Sequence, residues 1–148
     1  MAKVKDIMTE NVLTARVSTP FAQLVNVFVN MGIHHLPIIN SDGSLRAIFS
    51  STDALEAIHE MEELTKELEN FSLMKRVNVH DEMTSEVLSV TPNTKINDAI
   101  KIMVDYNIHA LPVLENEKIV GIISSNDVLK AIHDGQIRIS DKNDFYML

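Results

Sequence analysis

Residues Val4 to Leu55 and Val79 to Leu129 carry one pattern twice, at a constant offset that shortens by a single position late in the unit. The first copy opens VKDIMTENVLT and the second VHDEMTSEVLS. Each continues through a helix-like apolar stretch into a short run, IHHLPII or IHALPVL, and each ends on a strand feeding a polar step, AIFSSTDALEAIH or GIISSNDVLKAIH. A unit that occurs only twice is not a solenoid array, which needs at least about three repeats to bury a continuous core. The pattern predicts two small pseudo-symmetric units facing each other, with ligand clefts between them.

Size makes the same demand. The chain has 148 residues. A chain of that length buries roughly 68–70% of its unfolded surface, whereas one repeat alone would be marginal. The two halves are therefore expected to share a core. Apolar residues make up 45% of the chain and charged residues 23%, which is ordinary for a globular protein. A formal net charge of −8 argues against nucleic acid or an anionic membrane as partner. Backbone N–H groups can still bind a phosphate on an acidic protein. With no cysteine in the chain, neither disulfides nor thiolate catalysis is available. The segment MAKVKDIMTE has no apolar signal region. No apolar stretch approaches the length of a membrane span, so a soluble, cytoplasmic protein is expected.

Within the first unit, Val12 to Val17 reads as a short strand. Thr19 is offered as an N-cap with Pro20 at the first helical position, where a missing N–H costs nothing. Phe21, Leu24, Val25, Phe28 and Met31 follow at helical spacing and are expected to face the core. In the second unit the helix starts at Thr94, with Ile96, Ile100 and Met103 on its apolar face. Gly32 and its counterpart Asn107 stand where a left-handed residue should close each helix. Pro37 and Pro112 then lie inside strands, at positions where an N–H is not needed. Asn40-Ser41-Asp42-Gly43 is a strong hairpin signal, and Glu115-Asn116-Glu117 a weaker one, shorter by the residue that changes the offset. Each unit reads as strand, helix, strand, strand, helix, the last helix starting near Thr52 or Asn126. The Glu-rich stretch 56–76 carries Ile58, Met61, Leu64, Thr65, Leu68 and Phe71 at helical spacing. It extends the first unit's last helix into an amphipathic connector. The expected boundaries are 1–60 for the first repeat, 61–76 for the connector, 77–134 for the second repeat and 135–148 for a C-terminal tail.

Chemistry concentrates at the strand-to-helix steps. Ser50-x-x-Asp53 and Ser124-x-x-Asp127 place a hydroxyl and a carboxylate at a helix start. Vicinal ribose hydroxyls could donate to that carboxylate, and the exposed N–H groups could receive a phosphate. The same residues are also preferred N-caps, and the two roles are compatible. His34, His35 and His109 open the proline strands, while His59 and His133 follow the acidic residues on the last helices. Adjacent His34 and His35 would point to opposite strand faces, and no metal-ligand spacing occurs. Four scattered glycines build no phosphate-cradling loop, and no nucleophile elbow is present. Two copies of one unit favour binding over catalysis, so no enzyme activity, catalytic residue, metal or catalytic cofactor is expected.

These residues resemble a tandem pair of CBS domains, the regulatory units first described in cystathionine β-synthase. The resemblance rests on Asp6-Ile7-Met8-Thr9 and Asp81-Glu82-Met83-Thr84, then Leu36-Pro37-Ile38 and Leu111-Pro112-Val113. It is completed by Ala47-Ile48-Phe49-Ser50 with Asp53 and Gly121-Ile122-Ile123-Ser124 with Asp127. It implies an α+β fold of two pseudo-symmetric β-α-β-β-α repeats packed as one disc, a Bateman-type module, often paired with a second disc. It also implies two clefts for adenosine compounds such as AMP, ADP, ATP or S-adenosylmethionine. One cleft would join Thr9, Thr14, Ile33 and His34 to Ile122, Ser124 and Asp127. The other would join Thr84, Ser89, Ile108 and His109 to Ile48, Ser50 and Asp53. In each, the aspartate would hold the ribose and the apolar residues the adenine, with serine and histidines toward ribose or phosphate. His35, opposite Ala110 of the other repeat, sits where some relatives carry a phosphate-facing basic residue. Ala47 stands where Gly121 keeps the usual glycine; its methyl group is expected to crowd a ligand and make the clefts unequal. The resulting expectation is a stand-alone adenine-nucleotide sensor acting through a homodimer or a separate effector protein. The alternative is a ligand-free dimerisation or scaffold module.

Overall fold

The computed structural model describes residues 2–65 and 77–138. The chain folds as two compact units, Leu13–Val87 and Met1–Val12 with Leu88–Leu148. The opening segment of each sequence repeat thus belongs to the unit built on the other repeat.

In the unit Leu13–Val87 the elements are α1 (Phe21–Met31), β1 (His35–Ile39), β2 (Leu45–Ser50), α2 (Ser51–Thr65) and the single turn α3 (Val79–Glu82). β1 and β2 pair antiparallel, with Leu36 opposite Phe49, Pro37 opposite Ile48 and a bulge after Ile38. The core is Phe21, Leu24, Leu36, Ile38, Ala47, Phe49, Ala54 and Ala57, closed by Val79 and Met83 from the other repeat's opening segment. Phe49 is its centre, meeting Phe21 edge-on at 6.0 Å and stacking on Phe28 at 6.1 Å between ring centroids. Both arrangements are ones that the ring quadrupole favours.

The second unit repeats this plan with α4 (Ile96–Asp105), β3 (Ala110–Glu115), β4 (Lys118–Ser124) and α5 (Ser125–His133), preceded by a 3-10 turn over Val4–Asp6. Leu111 faces Ile123, Pro112 faces Ile122, and the bulge falls after Val113, the same place as in the first sheet. Val4, fully buried, joins Val90, Ile96, Ala99, Met103, Leu111, Val113, Ile123 and Val128 in the core. Ile137 of the tail packs against it, and the rest of the tail from residue 139 lies outside the described residues. Of the connector stripe, Ile58 packs on the first core, while the Leu64 and Thr65 side chains and Leu68 and Phe71 lie outside the described residues.

The expected strand at Val12–Val17 is not one. Ala15 makes a single parallel bridge to Ile38, donating to the Pro37 carbonyl at 2.9 Å while its own carbonyl accepts from Ile39 N–H at 2.9 Å. The preceding rung of a parallel ladder would need a Pro37 N–H, which does not exist, so the ladder does not extend back toward Val12. Val90 repeats this against Val113, with Pro112 as the stop. On the β2 side each proline stands opposite Ile48 or Ile122, whose N–H and carbonyl face away toward Thr84 or Thr9, so no bond is lost there.

Two local expectations shift. Pro20, not Thr19, is the N-cap of α1, and Lys95 caps α4. The Thr19 and Thr94 hydroxyls instead accept from Arg16 N–H and Thr91 N–H, each at 3.0 Å, closing the turn before the helix. Met31 is 58% exposed, because the last residue of α1 sits at the rim of its apolar stripe. Gly32 (φ 62°) and Asn107 (φ 50°) do adopt the left-handed conformation, as a helix C-terminus requires. The one-residue difference between hairpins is also visible. Asn116 (φ 52°) and Glu117 (φ 65°) form a two-residue turn with both dihedrals positive, whereas Asn40 to Ser44 form a longer one around Gly43 (φ 86°). Paired positive dihedrals are what a two-residue hairpin turn matching the strand twist demands.

Candidate functional site

Each sheet delivers its second strand straight into a helix, and the step is locked by side chains. Ser124 N–H donates to Asp127 Oδ2 at 2.8 Å, and Asp127 N–H donates to Ser124 Oγ at 3.1 Å. At the twin step, Ser50 N–H donates to Asp53 Oδ2 at 2.9 Å, and Asp53 N–H to Ser50 Oγ at 3.0 Å. This reciprocal box satisfies two N–H groups that a helix start would otherwise leave without partners. It uses Oδ2 of each aspartate, and both aspartates are half-buried.

Two further contacts build on each box. Ser125 N–H donates to the His109 carbonyl at 2.8 Å, and Ser51 N–H to the His34 carbonyl at 2.9 Å, so the start of each proline strand is tied to its helix start. His35 is paired opposite Ser50. On the far side of the second strand, Thr9 and Ile122 exchange two backbone bonds of 2.9 Å. Thr84 and Ile48 do the same at 2.9 and 3.0 Å.

The structure therefore gathers Thr9, His109, Ile122, Ser124 and Asp127 in one unit, with Ser89 and Ile108. It gathers His34, His35, Ile48, Ser50, Asp53 and Thr84 in the other, with Thr14 and Ile33. Ile33 and Ile108 pack against their cores, and Ile48 is 8% exposed. The imidazoles of His34 and His109 are exposed, as are Thr9, Thr84 and Ser89, while His35 and Thr14 are half-buried. His59 and His133 are exposed on α2 and α5, and His133 Nδ1 lies 3.0 Å from Asp134 Oδ1. Among the described residues no cluster of three or more His, Asp or Glu could hold a metal ion, and no helix is long and apolar enough to cross a membrane.

Ala47 and its twin Gly121 have different surroundings. Ala47 is fully buried in the core of its unit. At the twin Gly121, an added Cβ would lie 2.5 Å from Met8 Sδ and 3.1 Å from the Thr9 carbonyl. That position faces the opening segment, and the Met8 side chain fills the space a methyl group would take.

One residue beside the site carries no motif of its own in the sequence. Glu82, at the end of α3, lies near the Glu60 carboxyl of α2. Burial first, then Glu60, Asp81 and Asp53, raise its pKa above the ordinary carboxylate value, since both burial and neighbouring carboxylates disfavour the charged form. Its twin is Ile7, which packs against the other core. The departure of DEMT from DIMT was the available signal.

Two units with one strand register, one bulge position and one Ser–Asp box define a tandem-repeat α+β module. The chain belongs to the CBS domain family, whose model matches residues 4–60 and 76–134. It is similar to the uncharacterized protein MJ1225 of Methanocaldococcus jannaschii, 28% identical over 129 residues, which covers 87% of this chain and 42% of that protein. The homoserine O-acetyltransferase of Methanococcoides burtonii is 32% identical over 130 residues, yet the chain spans 24% of that enzyme's length. Among solved structures, Vibrio cholerae AcuB superposes with a TM-score of 0.76 at 26% identity, covering 92% of this chain and 93% of that one. CBSX2 in complex with AMP gives 0.76 at 24%, covering 93% and 100%. The CBS domain pair of MJ0100 in complex with 5′-methylthioadenosine and S-adenosyl-L-methionine gives 0.74 at 24%, covering 87% and 98%.

Proposed function

We propose that this chain is a regulatory module that binds an adenosine compound (AMP, ADP, ATP or S-adenosylmethionine) at the two Ser–Asp steps and does no catalysis. The observation that carries the reading is the duplicated box on a CBS fold. A carboxylate held rigid through one oxygen leaves the other to accept from the vicinal hydroxyls of a ribose, a charge-assisted contact. Asp127 and Asp53 take the ribose. Ile122, Ile48, Ile33 and Ile108 offer apolar surface to the base; Thr9, Thr84, Thr14, Ser89, Ser124 and Ser50 offer hydroxyls; and His34, His35 and His109 are the donors for phosphate. The ligands bound by CBSX2 and by MJ0100 are both of this class, which supports the choice. Ligand binding regulates by favouring one of two arrangements of the chain or its partner through differential affinity.

A thermal-shift panel of AMP, ADP, ATP, adenosine and S-adenosylmethionine tests this. A ligand at 100 times its Kd stabilises by about 2.7 kcal/mol, or about 5–10 °C for a chain of this size. No shift with any of these compounds would leave the scaffold reading.

That second reading has an observation of its own. Val29, Met31 and Leu55 on the helices of one unit are 74%, 58% and 67% exposed, and their twins Val104, Tyr106 and Leu129 are 63%, 63% and 65% exposed. An apolar cavity of about 320 Å³ opens beside the latter, between α4 and α5, lined by Ile100, Met103, Val104, Ser125, Val128, Leu129 and Ile132. The same three positions left uncovered in both repeats support association with a second copy, through which either a sensor or a scaffold would act.

A further inference from the structure

The two repeats continue differently after their strand-to-helix steps, and the difference bears on the apolar cavity between α4 and α5. α2 runs on to Thr65, whereas α5 stops at His133. Gly135 (φ 74°) then turns the chain back: its N–H donates to the Ile132 carbonyl at 3.1 Å, and Gln136 N–H donates to the Ala131 carbonyl at 2.9 Å. A left-handed glycine with bonds of this kind closes a helix and commonly sets an apolar residue just beyond it against the last turn. Ile137 is that residue, and it packs on the same core as Ile132, Val128, Ile100 and Met103. Those four line the cavity of about 320 Å³ together with the exposed Val104 and Leu129. In the first repeat the position matching Gly135 is Met61, inside α2, so no such reversal occurs there.

We propose that this cavity is the docking site of the chain's own segment Phe145–Leu148. Phe145-Tyr146-Met147-Leu148 is an uninterrupted apolar run, and Ser140 to Asp144 before it are all polar. The cavity walls are hydrocarbon except for Ser125, and moving apolar side chains from water onto such walls is favourable. The chain is long enough. Phe145 follows seven residues after Arg138, and at roughly 3.3–3.6 Å per residue that is a reach of about 23–25 Å. On α5 the lining runs from Ser125 to Ile132, about 10 Å at a rise of about 1.5 Å per residue. Either end of the cavity is therefore within reach. Tethering selects this segment over the same segment of a second copy, because a short link gives an effective concentration on the order of millimolar. Contact with a second copy through Val104 and Leu129 then competes with the segment.

The chain holds no cysteine, so Asn143→Cys accepts a single nitroxide label beside the segment without altering it. In the full chain with isotope-labelled isoleucine methyl groups, the Ile100 and Ile132 resonances should lose most of their intensity to the nitroxide. Adding Phe145→Asp and Leu148→Asp should restore them. Folding is read in the same spectra from Ile38 and Ile123, whose resonances should not shift. A mixed sample, with the nitroxide on one chain and the isotope on another, should show little loss. Losses that survive the two aspartates, or no loss at Ile100 and Ile132 at all, would overturn the inference and leave the cavity to another apolar occupant. Losses seen only in the mixed sample would overturn it too, giving the cavity to the segment of a second copy.

Discussion

At the scale of single residues, the capping role of the aspartates and the ribose role proposed for them can be separated by measurement. Replacing Asp127 or Asp53 by alanine removes a charge-assisted acceptor, expected to weaken adenosine-compound binding about ten- to a hundredfold at that box. It also removes a cap, costing about 1 kcal/mol of stability. Calorimetry beside thermal melting reads both, and unchanged affinity in the two variants would leave the aspartates as caps alone. Gly121 makes a different prediction. A new methyl group would lie 2.5 Å from the Met8 Sδ, which must repack to admit it. Gly121→Ala should therefore cost about 1–3 kcal/mol by denaturant unfolding. Glu82 adds a pH dependence. Its raised folded-state pKa means that the native chain holds this proton more tightly than the unfolded one. The stability it contributes is present at acid pH and is lost as pH rises through the folded value. Glu82→Gln should then stabilise slightly at pH 7, by less than about 0.5 kcal/mol because solvent screens the group, and the gain should vanish near pH 4. A gain that is independent of pH would rule out the carboxyl as its cause.

Elements were legible in the sequence wherever local chemistry settled them. The helices announced themselves by apolar spacing, Gly32 and Asn107 by their tolerance of positive φ, and the hairpins by their turn residues. The expected strand at Val12–Val17 shrinks to one bridge because its length is set by a partner. Pro37, far along the chain, has no N–H for the rung before Ala15, and no property of Val12–Val17 itself reports that. The exchanged opening segments were hidden for a similar reason. Val4 and Val79 look like ordinary apolar residues at the head of their own repeats, yet each is buried in the core built on the other. Val4→Ala should cost about 1.5–3 kcal/mol. Hydrogen exchange should show the loss of protection in β3 and β4, with β1 and β2 little changed. Val79→Ala should give the converse. Equal loss in both sheets for either variant would contradict this assignment of the two valines.

For the whole molecule, the duplicated exposed positions on the helices lead to the prediction that Leu55→Glu together with Leu129→Glu abolishes self-association. Sedimentation of the variant should then give one chain where the unsubstituted protein gives two. An unchanged mass would place any interface elsewhere. The sequence by itself determined the duplication, the order of elements within each repeat and the residues at each strand-to-helix step, because each depends on neighbours within a few positions. It therefore carried the family and the two aspartates. Only the tertiary structure decided which core each opening segment fills, where the proline stops the ladder, and that Ala47 faces packed protein. It alone brought Glu82 to Glu60. Those outcomes depend on groups far apart in the chain meeting across a sheet or a helix. A pattern of period 2 or 3.6 records the face a residue takes without recording what will cover it.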